Sequence, residues 1–336
     1  MKTRWMVIAA VVLAVGGMAW AAENAAKAIM TAAPSRFVNP FVVGGKWYRA
    51  NLHTHTTLSD GDVNLPVRVK QYRDKGYQVL AVTDHEKTNN VAGYSDKDFL
   101  LINGMETHPA CPGAEIPYHF VCLNIPNGLT FAKEVNAPER IRRVKASGGE
   151  IIFAHPYWSG HTTREMLAVD GYIGIEVYNG EFRHTGKGYN SVQWDQLLNT
   201  GKIIPAVAND DLHESARIGE AWTMIKAKEL TAEAVMNALR NGRCYASCGP
   251  TIDDFRIEAG QAAVKCSPVV EICFMGQNEF SYNVTGDRDH LITSAVCKLP
   301  PEIRYVRAEV VDANGKHAWT NVIEVKDALS ERLNKK

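Results

Sequence analysis

Nine residues of metal-ligand type are strung through this 336-residue chain: His53, His55, Asp60, His85, Glu106, His119, His155, Asp211 and His213. Nearly every one adjoins a short run of β-forming residues. Residues 47–52 precede His53-Thr54-His55, 79–82 precede Asp84-His85, and 99–102 precede Glu106. Residues 118–123 contain His119, 151–154 precede His155, and 203–208 precede Asp211-Leu212-His213. Residues i and i+2 of a strand point to the same side, so His53 and His55 can grip one ion, as can Asp211 and His213. Imidazole and carboxylate without thiolate suit zinc, manganese or iron(II), and a set this large suits more than one ion. Six of the eleven histidines fall in the series, where chance placement would scatter them over loops and helices.

Ligands at the ends of successive buried strands are the mark of a barrel enzyme, whose strands form the wall and whose strand ends carry the site. One more run, 172–177, carries Glu176, which reads either as a partner orienting a ligating histidine or as a carboxylate at the surface or capping the core. Between the runs lie helix-like stretches. Residues 66–75 and 138–146 have proline near the first turn, where its missing N–H does no harm. Residues 162–167 and 191–198 give two more, and 231–240 a fifth, with Thr231 as N-cap and Gly242 at the stop. Strand–helix alternation predicts a parallel α/β fold. After Gly249-Pro250 the texture changes to short β segments at 251–258, 262–266, 269–274, 291–297, 305–311 and 318–325, with a turn at Asp312-Ala-Asn-Gly315. This predicts a small antiparallel β-sandwich over 250–327 that packs on the barrel or shapes one rim of its cleft. A carbohydrate-binding role is the alternative for it.

The segments NLHTHTTLSDG, AVTDHE, INGMETH, YHFVC, FAHP and NDDLH together resemble the PHP family, the polymerase and histidinol phosphatase domain, over residues 45–249. The resemblance implies a distorted (β/α)7 TIM-like barrel holding two or three divalent ions, manganese, zinc or iron. It also implies hydrolysis of phosphate esters, mono- or diesters, by a metal-activated hydroxide. It would place His53, His55, Glu106 and Asp211 on one ion, with Glu106 bridging to a second held by His119 and His155. Asp60, His85 and His213 would hold the third. Asp60 stands where some members have histidine, so the third site is expected to be the weakest. Around this site, His184 or His161 would protonate the leaving group, and Arg183 and Arg217 would clamp phosphate oxygens. His108, His290 and His317 are read as ordinary surface or core histidines. Downstream, LTAEAVMNALRNGRCYASCGP and AEVVDANGKHAWTNVIEV resemble the subgroup that includes carbaryl hydrolases. That keeps cleavage of carbamate, ester or amide bonds as an alternative reaction. An inactive metal-binding module is a further reading, against which the complete ligand set argues.

Lysine plus arginine and aspartate plus glutamate are balanced at 37 each, and no basic block marks a polymeric nucleic acid as partner. The expected partner is a small molecule, a phosphate ester. Lys2 and Arg4, the apolar stretch 6–15 and Ala19-Trp20-Ala21 form a secretory signal at 1–21. The chain is therefore expected to be exported, to the periplasm or outside the cell. An uncleaved anchor is the rival, since 5–22 is nearly long enough to span a bilayer. Cleavage would leave 35 basic against 37 acidic side chains and no stable membrane insertion. Residues 22–44 read as a lead-in and 328–336 as a frayed tail. Export permits disulfides, and Cys111–Cys122 and Cys244–Cys248 are the candidate pairs among seven cysteines.

Overall fold

The computed structural model describes residues 37–325. The signal segment, most of the lead-in and the tail lie outside the described residues. The first part of the chain runs β1 (Lys46–Asn51), α1 (Leu65–Asp74), β2 (Val79–Val82), β3 (Leu100–Thr107), β4 (Phe120–Leu123), α2 (Ala137–Ala146), β5 (Glu150–Phe153), α3 (Thr163–Leu167), β6 (Gly174–Asn179), α4 (Ser191–Asn199), β7 (Ala206–Asn209), β8 (Trp222–Ala227), α5 (Ala232–Arg240) and β9 (Cys244–Ser247). The helices begin where capping chemistry starts them. Asn64, Asn136 and Thr231 accept hydrogen bonds from Val67 N, Glu139 N and Ala234 N, and Thr162 with Glu165 forms a capping box.

Strands β1 to β7 lie in sequence order in one sheet. The β1–β2, β2–β3, β5–β6 and β6–β7 pairs are parallel. Strands β2 to β7 are buried on both faces, as a sheet covered by crossover helices must be. Along β4, β5 and β7 the residues alternate between two cores. Val121, Ile152 and Val207 join Ala50, Val79 and Ile102 on one side. Phe120, Cys122, Ile151, Phe153 and Ala206 join Val144, Trp194 and Leu197 of the helices on the other.

The alternation breaks at β4, which runs antiparallel to both β3 and β5. The chain reaches it through a loop, so the start of β4 lies beside the end of β3. The hydrogen-bonded order ends at β7, and a closed barrel is not shown. Side chains tie its edge to β1 and β8: Leu52 N donates to Asn209 Oδ1, Asp210 N to Asn51 Oδ1, and Ala208 N to Thr223 Oγ1. Past the strand ends the backbone joins too, with Asp211 N donating to His53 O and His55 N to Leu212 O. What stands is a mixed α/β fold on a large, parallel-rich sheet.

Strands β8 and β9 were not anticipated. They run antiparallel beyond β1 and carry the sheet into the last part of the chain. That part comprises β10 (Ile252–Glu258), β11 (Gln261–Val269), β12 (Glu271–Gly276), β13 (Ser281–Thr285), β14 (Ile292–Lys298), β15 (Tyr305–Val311), β16 (His317–Thr320) and β17 (Ile323–Glu324). Strands β10, β11 and β14 form a second antiparallel sheet, and β16 pairs with β9. Phe255, Val264, Ile272, Phe274, Val306 and Val310 fill one core between the two layers.

The seven cysteines are all free thiols, so neither candidate disulfide forms. Cys244 and Cys248 are four residues apart along extended chain, about 13 Å at strand rise, beyond the reach of a bridge. Cys122 points into the helix-side core, where burial pushes its thiol pKa far up.

Candidate metal centre

The nine ligand-type residues converge at one end of the sheet. Those after β1, β2, β5 and β7 sit where parallel strands end. Glu106 lies in the last turn of pleat of β3, and His119 just before β4, whose reversed direction brings it to the same place. Two of the nine occupy left-handed backbone that non-glycine residues seldom adopt, His155 at φ 24° and Asp211 at φ 52°. Such conformations hold only where their surroundings enforce them. Here Glu176 Oε2 accepts from His155 N and His53 O accepts from Asp211 N.

Glu106 is the hub. Its Oε1 faces His119 Nδ1 at 2.7 Å, His155 Nε2 at 3.1 Å and His108 Nε2 at 3.5 Å. Its Oε2 faces His85 Nδ1 at 3.0 Å, His53 Nε2 at 3.2 Å and His55 Nε2 at 3.5 Å. Asp211 Oδ1 lies 3.1 Å from His53 Nε2 and 3.0 Å from His55 Nε2. At the outer edge, Asp60 Oδ2 lies 3.2 Å from His85 Nε2 and 3.4 Å from His213 Nε2. Donor atoms of His53, His55, Glu106 and Asp211 all fall within 4.8 Å of one another, as do those of Glu106, His119 and His155, and those of His55, Asp60, His85 and His213.

The electrostatics match a site built for cations. Burial opposes ionisation of Glu106, yet His53 and the imidazoles bonded to it hold its pKa well below the carboxylate range. Asp211 is likewise held low against burial by His53 and His55. Burial disfavours a charge on His53, but Asp211, Glu176 and Glu106 overcome it and raise its pKa well above the usual value. Desolvation lowers His119 to about 4. It opposes His85 as well, but Glu106 and Asp60 lift that residue to about 8. The donor set also passes a direct test of fit: His53 Nε2 is buried without a hydrogen-bond partner although two carboxylates flank it. A lone pair placed there satisfies a cation better than any group the chain supplies.

Glu176 lies buried behind His53. Its Oε1 lies 2.8 Å from His53 Nδ1 and accepts from Asn209 at 2.9 Å, and its Oε2 accepts from Asn179 at 2.9 Å. This fixes which His53 nitrogen faces the centre. Asp84 is a clamp: Thr56, Ser59 and Asn89 donate to it, which shapes the loop carrying Asp60. Gly61 lets that loop fold back, since a Cβ would sit 2.6 Å from the His55 carbonyl.

The centre opens into a cavity of about 280 Å³ lined by Asp60, His85, Glu106, His119, His155, Trp158, Glu181, Phe182, Asp211 and His213. The four outer candidates are not among its walls. His161 is buried against Tyr118 and Phe153, and desolvation lowers its pKa. His184 is exposed, 3.6 Å from Glu220. Arg183 pairs with Glu220, and Arg217 pairs with Glu181 and Glu214. Four residues beside the centre were missed: His108, Glu181, and the stacked pair Trp158 and Phe182, whose ring centroids are 4.2 Å apart. Only His108 had a signal, its i+2 spacing from Glu106.

A family model described as PHP-associated matches residues 201–244. No curated protein matches the chain in sequence. Among solved structures it is similar to a two-domain protein from Bacteroides vulgatus containing a predicted PHP-like metal-dependent phosphoesterase, at 17% identity and TM-score 0.49, over 83% of this chain and 95% of that one. It is also similar to an amidohydrolase from Chromobacterium violaceum, at 15% identity and TM-score 0.37, over 49% and 87%. A lesion-specific endonuclease from Pyrococcus furiosus is a third, at 14% identity and TM-score 0.39, over 58% and 56%. At these scores none of the three bears on the reaction. The PHP-associated match takes in Asp211 and His213, while the other residues gathered on Glu106 lie outside it.

Proposed function

We propose that this protein is an exported, metal-dependent phosphoesterase acting on a small phosphate mono- or diester. The observation that carries the reading is the Glu106 carboxylate, whose two oxygens each face three imidazole nitrogens. His53, His55, Glu106 and Asp211 would hold one divalent ion, Glu106, His119 and His155 a second, and Asp60, His85 and His213 a third. Ions so held acidify water and stabilise negative charge on a phosphoryl group. The chain's own residues hold and orient. Glu176 fixes His53, Asp84 fixes the Asp60 loop, and the Trp158–Phe182 stack lies edge-on to His119 and His155 and shields their rings on one side. No lysine or arginine lines the cavity, while four carboxylates do. Apart from imidazoles the bare cavity offers a phosphate no cationic side chain, so metal is expected to serve binding as well as reaction.

The acidic walls and the apolar Trp158–Phe182 pair favour a second reading, cleavage of a neutral carbamate, ester or amide. A panel of phosphomonoesters, phosphodiesters, carboxylesters and carbamates separates the two, using chelated enzyme reloaded with manganese, zinc or iron(II). Turnover of phosphate esters alone supports the first reading, and turnover of carbonyl substrates alone overturns it. Export belongs to residues 1–21. No helix among the described residues is long and apolar enough to cross a membrane. Intact mass of protein recovered from the periplasm or medium tests the cleavage expected after Ala21.

A further inference from the structure

We propose that His108 is a metal ligand, forming with His85 and Glu106 a position that is an alternative seat for the third ion. The proposal rests on the reading of the cluster as a metal centre and extends it. Donor atoms of His85, Glu106 and His108 lie within 4.8 Å of one another. His108 Nε2 is 3.2 Å from His85 Nδ1 and 3.5 Å from Glu106 Oε1. Two nitrogens this close, flanked by an ionised carboxylate, suit a shared cation.

The far side of His108 also carries a carboxylate, set more loosely than the one behind His53. His108 Nδ1 faces Glu86 Oε1 at 3.7 Å, beyond a direct hydrogen bond, where His53 Nδ1 bonds Glu176 at 2.8 Å. Glu86 is held in place: the buried Arg140 donates to both of its oxygens at 2.6 and 2.9 Å, and His108 N donates at 2.6 Å. It occupies left-handed backbone at φ 52°, a conformation kept only where the surroundings demand it. An outer carboxylate that orients an imidazole toward a centre is the usual companion of a ligating histidine.

His85 stands between the two seats. Its Nε2 faces Asp60 and its Nδ1 faces Glu106 and His108. A neutral imidazole has one free lone pair, so His85 serves one seat at a time. The outer ion therefore sits either with Asp60 and His213 or with His108 and Glu106.

Cobalt(II) binding to the chelated full chain tests this, read by calorimetry and by the visible absorption of the bound ion. His108→Phe keeps the ring and removes both nitrogens, and Glu86→Gln keeps the outer contact but removes its charge. Because the Asp60 seat remains, His108→Phe is expected to change the spectrum of the outermost cobalt step and to weaken it severalfold, and Glu86→Gln to weaken it by a smaller factor. Asp60→Ala is expected to retain the outer ion, and Asp60→Ala with His108→Phe to lose it. If His108→Phe does not fold, His108→Gln replaces it. Wild-type spectra and stoichiometry in the His108 variants, or full loss of the outer ion in Asp60→Ala alone, overturn the alternative seat and leave the main centre standing. Failure of wild type to bind any cobalt overturns the metal reading itself.

Discussion

Glu106 and Glu176 are both buried carboxylates among histidines, and their surroundings give them different work. Glu106 faces six imidazole nitrogens, while Glu176 faces one and is saturated by backbone and amide donors. Glu176→Gln is therefore expected to leave the ligand set intact but loosen His53, weakening metal affinity by about 10- to 100-fold. Competition with a chromophoric chelator measures it, and unchanged affinity removes Glu176 from the account. At this scale the centre was legible because period-two spacing and strand ends select residue types that rarely coincide by chance. His108 was passed over because it lies one residue past β3, though it is two from Glu106. Trp158 and Phe182 carried no signal: an aromatic residue in a loop reads the same whether it lines a cavity or a core.

Among the elements, the helices were legible because asparagine or threonine caps and early prolines mark where they begin. Strands β8 and β9 were not. Trp222–Ala227 interleaves threonine and lysine with apolar residues, and it pairs antiparallel with β1, which no reading of βα alternation anticipates. Strand β4 shows the same limit, since its direction follows from the helix missing before it. The late β segments were legible through their turns, but not their attachment, which Arg307 helps to secure. This buried guanidinium on β15 reaches Asp195 of α4 at 2.7 Å and Glu309 at 3.0 Å. Without it Asp195 is partly solvated and Glu309 keeps His317, so Arg307→Ala should cost about 1.5–3 kcal/mol, the range of hydrogen bonds to charged groups. Urea unfolding checks this, and a loss below about 1 kcal/mol, the range of a surface pair, would show that the attachment rests on apolar packing alone.

For the whole molecule, the centre couples folding to pH and to metal. Without metal, His53 and His85 have raised pKa values, so their stabilisation is full below the unfolded value near 6.5 and is lost as pH rises through about 8 for His85. His55 and His119 are lowered by burial, so their contribution holds above 6.5 and is lost as pH falls toward about 4 for His119. The chelated protein is expected to be most stable between these limits, with lower urea midpoints at pH 5 and pH 9 than at pH 7. A metal ion replaces the proton on the alkaline side, so saturating metal should flatten the fall toward pH 9 and add about 2.7 kcal/mol per site at a hundredfold excess over Kd. Midpoints that rise steadily to pH 9 without metal would contradict the coupling.

The claim on which the rest depends is that Glu106 bridges two ions. The most direct measurement is the metal content per chain of wild type and Glu106→Gln, by mass spectrometry after removal of loosely held ions, with turnover followed on the same samples. The substitution keeps the size of the side chain and removes the charge that lets two cations sit close together. Wild type is predicted to hold at least two ions, and Glu106→Gln at least one fewer with turnover lower by orders of magnitude. Equal ion counts and equal rates in the two proteins would contradict the bridge.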